Sequence, residues 1–191
     1  MTAKNDLPTR AFKSQKEWEA WLERNHETAG IWLKFAKKTS GIPTVSYPEA
    51  VDTALCYGWI DGQMKSLDAT YYIQRFTART SNSNWSKINR EKAEGFIAEG
   101  RMRPPGLRAI EVARANGRWD KAYEGQREMA VPDDFAKALK KNPKARTFFD
   151  ALNSKNRYAV LYRIHDAKKP ETRARRIETF IAMLAEGKKI Y

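Results

Sequence analysis

The stretch "ALCYGWIDGQ", Ala54 to Gln63, decides how this chain folds. Before it, "YPEAVDTALC" spaces Val51, Ala54 and Leu55 along one helix face, and Pro48 suits the first turn of that helix. After it, "WIDGQMKS" reads as a strand. A helix therefore hands over to a strand within two or three residues, around Tyr57 and Gly58.

Working outward, Asp68 and Ala69 turn that strand into a second one, "TYYIQRFTA". Upstream, "GIWLKFAKK" alternates, with Ile31, Leu33 and Phe35 on one face and Trp32, Lys34 and Lys38 on the other. That pattern is a strand with one dry and one wet side. Before it, Ser14 and Glu17 form a capping-box pair for a helix that buries Trp18, Trp21 and Leu22 and stops near Gly30. Downstream, a helix is expected from about Trp85 to Glu99 and another from about Leu107 to Ala115. The expectation is an α+β fold, with a three-stranded antiparallel sheet covered by helices.

From Val131 the chain becomes all-helical. Pro132 and Asp133, Pro143 and Pro170 each mark a helix start, and a further helix falls near Arg157 to Asp166. In the last helix Ile177, Phe180, Ile181 and Leu184 form an apolar stripe, Gly187 caps it, and "KKIY" trails off. This divides the chain into an α+β domain over residues 1–125 and a helical domain over 131–191, with "YEGQREMA" at 123–130 as the linker.

Composition sets the class. The 191 residues include 41% hydrophobic and 12% aromatic residues, as in an ordinary globular protein. One cysteine rules out an internal disulfide and suits a reducing cytosol, and the opening "MTAKNDLPTRAF" resembles neither a signal peptide nor a membrane span. Two histidines and one cysteine do not supply a zinc cluster, and no cofactor fingerprint occurs, so neither metal nor cofactor is expected. A cytoplasmic protein without a membrane span is the resulting expectation.

The net charge of +13 calls for an anionic partner, unless it serves only solubility. It is uneven: residues 132–191 hold 15 Lys and Arg against 7 Asp and Glu, a net of +8. Nucleic acid is one candidate partner, through "KKPETRARR" in the tail or through bases stacked on sheet aromatics.

Three groups of residues could carry chemistry. Cys56, the lone thiol, falls in the last turn of its helix among apolar neighbours, where the helix dipole disfavours a thiolate. Its expected state is buried and inert. Asp61 is the better catalytic candidate, either a turn former or a carboxylate in a pocket, and strand alternation puts it on one face with Gln63 and Lys65. The third group is "QRFTARTSNSNWSKIN". Here Arg75 and Arg79 leave a strand, and Ser83, Trp85 and Ser86 surround a helix start. Guanidiniums, hydroxyls and free helix amides are what an anion needs, while plain capping with solvated arginines is the simpler alternative. With Lys38 from a neighbouring strand, these residues define an expected anion site of Lys38, Arg75, Arg79, Ser83, Trp85 and Ser86.

The series "NHETAGIWLKFAKKTSG", "SYPEAVDTALCYGWIDGQ", "YYIQRFTARTSNSNWSKIN", "GRMRPPGLRAIEVARANGRWDKAY", "VPDDFAKAL" and "TRARRIETFIAMLAEGKKIY" resembles the YdeI/OmpD-associated family of bacteriocin-protection proteins. The resemblance runs from about Trp18 to Tyr191, and the tail resembles the OmpD-associated (OmdA) domain as a unit. Ala78 stands where the resemblance implies proline, in an "FxPR" motif. The family link implies a role in bacterial stress and resistance to antimicrobial peptides, and implies no established reaction. Three classes of function remain open: a protection protein that binds an anion, an enzyme built on Asp61 with Lys38, Arg75 and Cys56, and a nucleic-acid binder.

Overall fold

The computed structural model describes residues 7–124 and 129–191 and falls into two compact units, Met1–Tyr123 and Glu124–Tyr191. The centre of the expected linker, residues 125–128, lies outside the described residues.

In the first unit the order is β1 (Thr9–Ala11), α1 (Gln15–Asn25), β2 (Ile31–Ala36), a 3-10 turn (Lys38–Ser40), α2 (Tyr47–Cys56), β3 (Trp59–Ser66), β4 (Tyr71–Ala78), α3 (Lys87–Ala98) and α4 (Pro104–Ala115). The fold is α+β, as expected, with one more strand than expected. The sheet runs β1-β2-β4-β3, and β1 pairs parallel to β2 while the other pairs are antiparallel. β1 has no readable period because it is three residues long and exposed.

Alternation on β2 sets the two faces of the sheet. Ile31, Leu33 and Phe35 are almost wholly buried, and with Trp59 and Phe76 they form one core with Trp18 and Leu22 of α1 and Ala54 and Leu55 of α2. Burial of this many aromatic rings is the main stabilising term of the unit. Trp18 and Trp21 stack with ring centroids 5.4 Å apart, and Trp59 meets Trp21 edge-on at 5.9 Å.

The handover from α2 to β3 is an unusually close approach. Gly58 ends α2 with φ +72°, a left-handed conformation that side chains resist. A Cβ on Gly106 of α4 would lie 2.2 Å from the Cys56 carbonyl oxygen, so only glycine lets α4 start against the end of α2. The Arg103 amide donates to that same carbonyl at 3.0 Å.

One expectation is overturned on β3. Asp61 pairs with Phe76 but Met64 with Gln74, so β3 carries an extra residue, a β-bulge at Gly62–Gln63. The bulge inverts the alternation. Asp61 lies on the side of Phe76 and Gln74, and Lys65 lies on the other side with Ile73.

The second unit packs α5 (Asp133–Lys141), α6 (Pro143–Asp150), α7 (Ser154–His165) and α8 (Pro170–Ala185) around Phe135, Phe149, Val160, Ile164, Phe180 and Leu184. Arg173 grips Asp134 through two nitrogens, at 2.6 and 2.9 Å. The C-terminus does not trail off. Asn156, buried in α7, exchanges hydrogen bonds with the Tyr191 backbone at 2.8 and 3.1 Å.

Candidate functional site

The site is built where α2 begins beside the bulge of β3. Ser46 caps α2 in a full capping box with Glu49, which sets Tyr47 at the first helical position. The Tyr47 hydroxyl donates to Asp61 Oδ2 at 2.7 Å. Burial, then the Asp61 carboxylate, raise the Tyr47 pKa and hold the phenol protonated as a donor. Gln74, buried at an inward position of β4, donates to the Gly62 carbonyl at 2.7 Å and to Asp61 Oδ2 at 3.3 Å. It thus clamps the bulge and the carboxylate together. Phe35 lies between Tyr47 and Tyr72, at 6.2 and 5.1 Å between centroids, and forms an aromatic wall.

Arg79 follows β4 and turns inward. Its amide donates to the Gly58 carbonyl at 2.9 Å, which ties it to the α2–β3 corner. Its guanidinium sits 3.8 Å from the ring centroid of the buried Trp85, and Nη1 donates to the Asn84 carbonyl at 2.9 Å. Nε and Nη2 are buried without a hydrogen-bond partner among the described residues. Such orphaned donors cost about 1–3 kcal/mol each in a neutral group, and more in a charged one. Burial pushes the Arg79 pKa down to about 10, against the raising effects of Tyr123 and then Asp61. A guanidinium, a carboxylate and phenols thus share one electrostatic neighbourhood on the covered side of the sheet. Arg79 also lines a cleft of about 260 Å³, with His26, Glu27, Tyr57, Thr80 and Arg108 among the other walls.

The residues expected to form one anion site are separated by the fold. Arg79 and Trp85 meet. Arg75 is exposed, and on the opposite surface a Cβ on Gly62 would lie 3.2 Å from its Nε. The straight-strand expectation of a shared face fails because Arg79 lies past the end of β4 and turns under the sheet. Lys38 is also separated. It follows β2, whose end pairs with Tyr71 at the start of β4, so antiparallel pairing sets it the length of β4, roughly 25 Å, from Arg79. Ser86 is the N-cap of α3 and accepts from the Asn89 amide at 3.1 Å, and Ser83 accepts from the Thr80 amide at 2.9 Å. Both hydroxyls serve local backbone. α3 starts at Lys87, two residues later than expected, because Trp85 and Lys87 bond to the Tyr123 backbone instead.

Cys56 is 5% exposed at the end of α2, and burial pushes its thiol up to about 11. In the tail, Arg173 is held by Asp134 and Arg176 by the Arg163 carbonyl, so two guanidiniums of "KKPETRARR" serve internal structure.

Tyr47, Gln74 and Tyr123 escaped the sequence reading. Gln74 was findable: a polar residue between Tyr72 and Phe76 at inward spacing signals a buried hydrogen-bonding role.

A family model described as "Domain of unknown function (DUF8412)" matches residues 10–109, and one described as "Bacteriocin-protection, YdeI or OmpD-Associated" (OmdA) matches residues 128–187. The chain belongs to the DUF8412 family and carries an OmdA domain. The OmdA match agrees with the YdeI/OmpD-associated resemblance of the tail motifs. No curated protein and no solved structure matches it. Tyr47, Asp61, Gln74 and Arg79 fall within the first match. Among the described residues no helix is long and apolar enough to cross a membrane.

Proposed function

We propose that this YdeI/OmpD-associated protein is a cytoplasmic protection protein whose N-terminal unit binds a small anion at Arg79. One observation carries the reading: the Nε and Nη2 donors of a buried guanidinium have no partner among the described residues. Together they form one edge of the guanidinium, two parallel N–H groups with the geometry of a carboxylate or phosphate. An anion there restores the hydrogen bonds that burial removed. Trp85 fixes the orientation of that edge by stacking on the guanidinium plane. Both nitrogens are closed to solvent, so entry goes with local opening of what covers them. The protective role rests on the OmdA description and the cytoplasmic setting on the lone unpaired cysteine.

Titration calorimetry with phosphate and with small carboxylates tests this. The expected result is saturable binding that falls ten- to hundredfold, about 1.5–3 kcal/mol, in Arg79→Met. The same variant keeps folding stability within about 1 kcal/mol, because replacing a poorly partnered buried charge by an apolar chain is close to neutral. Lys38→Gln leaves binding unchanged. Equal weakening by both variants would show diffuse charge attraction and end the proposal.

A further inference from the structure

The four described helices of the first unit share one core with Leu33, Phe35 and Phe76, on the covered side of the sheet. The other side carries a different set. β2 presents Trp32 and Lys34, β4 presents Tyr71, Ile73 and Arg75, and β3 presents Lys65. Lys65 and Arg75 are exposed, and Trp32, Lys34, Tyr71 and Ile73 are half-buried. None of these positions is acidic. The bulge sorts the charges: Asp61, ahead of it, shares the covered side with Trp59 and Phe76, and the extra residue moves Lys65 to the open face. Asp68, in the β3–β4 turn, accepts the Thr70 and Tyr71 amides at 2.8 and 2.7 Å.

Cations and rings interleave on this face. The Lys34 ammonium lies 3.8 Å from the Tyr71 ring centroid, and that of Lys65 lies 4.7 Å from Trp32. Arg75 is directly opposite Trp32, and Lys34 and Lys65 flank Ile73 in one row across three strands. Trp32 and Tyr71 stand four positions apart in register, roughly 13 Å along the strands. Positive charge interleaved with aromatic rings is the arrangement that holds an unpaired polynucleotide, with phosphates on the cations and bases on the rings.

We propose that the uncovered face of the sheet, centred on Trp32, Lys34, Lys65, Tyr71 and Arg75, binds single-stranded nucleic acid. Single strands fit because stacking on the rings needs bases free of their pairs. In the free protein the lysines rest on the rings, and phosphates draw them aside to admit bases. This face is separate from the Arg79 site and does not depend on it.

Fluorescence anisotropy on the full chain, with labelled oligothymidine and oligouridine of about 12 nucleotides, tests the proposal within the site sizes of single-strand binders. Single strands should bind at least tenfold tighter than a duplex of equal length. The triple variant Lys34→Gln/Lys65→Gln/Arg75→Gln should lower the slope of log affinity against log salt by about 2, at about 0.7 for each phosphate no longer neutralised. Trp32→Ala/Tyr71→Ala should weaken binding roughly 10- to 100-fold with little effect on that slope. The charge variant alters half-buried or exposed side chains only, so it reads binding even if the aromatic variant folds poorly. Four outcomes would overturn the proposal: no binding, equal affinity for duplex and single strand, stronger retention on phosphatidylserine vesicles than on oligonucleotide, or loss of binding in Lys168→Gln/Lys169→Gln/Arg175→Gln with none in the sheet variants.

Discussion

The two faces of one four-stranded sheet have opposite characters, and two adjacent residues of β4 show it. Phe76 is fully buried on the covered face, while Arg75 beside it stands in solvent on the open one. The covered face spends its polar groups on each other: Tyr47 on Asp61, Gln74 on Asp61 and the bulge, and Arg79 on Trp85 and Asn84. The open face has lysines on half-buried rings, Lys34 on Tyr71 and the exposed Lys65 on Trp32. Stability is therefore concentrated on one side, and the other side is free to vary charge without loss of fold.

Substitutions can break that comparison. Phe76→Ala should cost about 4 kcal/mol in denaturant unfolding, by loss of buried ring area and the cavity left behind. Ile73→Ala, three positions earlier on the open face, should cost less than about 1.5 kcal/mol, since a half-buried side chain forfeits only part of its burial. Similar losses for the two would mean that the faces do not differ in the way described. Gly106→Ala comes next, at about 2–3 kcal/mol, because its Cβ meets the Cys56 carbonyl and the backbone of α2 or α4 must shift. A fully stable Gly106→Ala protein would show that the helices part more easily than their close approach implies.

The smallest effect sharpens the picture by rate. With its thiol raised from the ordinary 9.0 to about 11, Cys56 keeps roughly a hundredfold less thiolate at neutral pH, and a thiol reagent should label it correspondingly slowly until the protein unfolds. The sign follows from burial: the folded state holds the proton more tightly, so stability contributed by the thiol falls as pH rises past 9 toward 11. Rapid labelling at neutral pH in the folded protein would place the sulfur in an open, electropositive site and return Cys56 to the catalytic candidates.

Much of this architecture is local and was open to reading. The period of two in Ile31–Phe35 set the buried face of β2, because successive side chains of a strand point to opposite sides. Pro48 marked the start of α2, and proline with caps marked the helices of the tail, because helix ends must satisfy their own amides. The candidate site was legible only in its parts. Residue type marks Arg79, Trp85 and Asp61, but plain alternation groups Lys65 with Asp61, because a single extra residue at Gly62–Gln63 leaves no periodic trace before pairing reveals it.

By itself the sequence determined where the helices and longer strands lie, which face of β2 is dry, and that Cys56 is packed away, since these depend on residues within a few positions of one another. Tertiary structure decided the rest. Antiparallel pairing carried Lys38 to the far end of the sheet from Arg79, and the bulge set Lys65 on the face opposite Asp61. The turn beyond Ala78 drove Arg79 under the sheet onto Trp85 while Arg75 stayed outside. β1 needed β2 as its template, since three exposed residues have no preference of their own. Each of these outcomes depends on strand register and on chain segments meeting across long separations, a physical choice made only when the whole sheet closes on its helices.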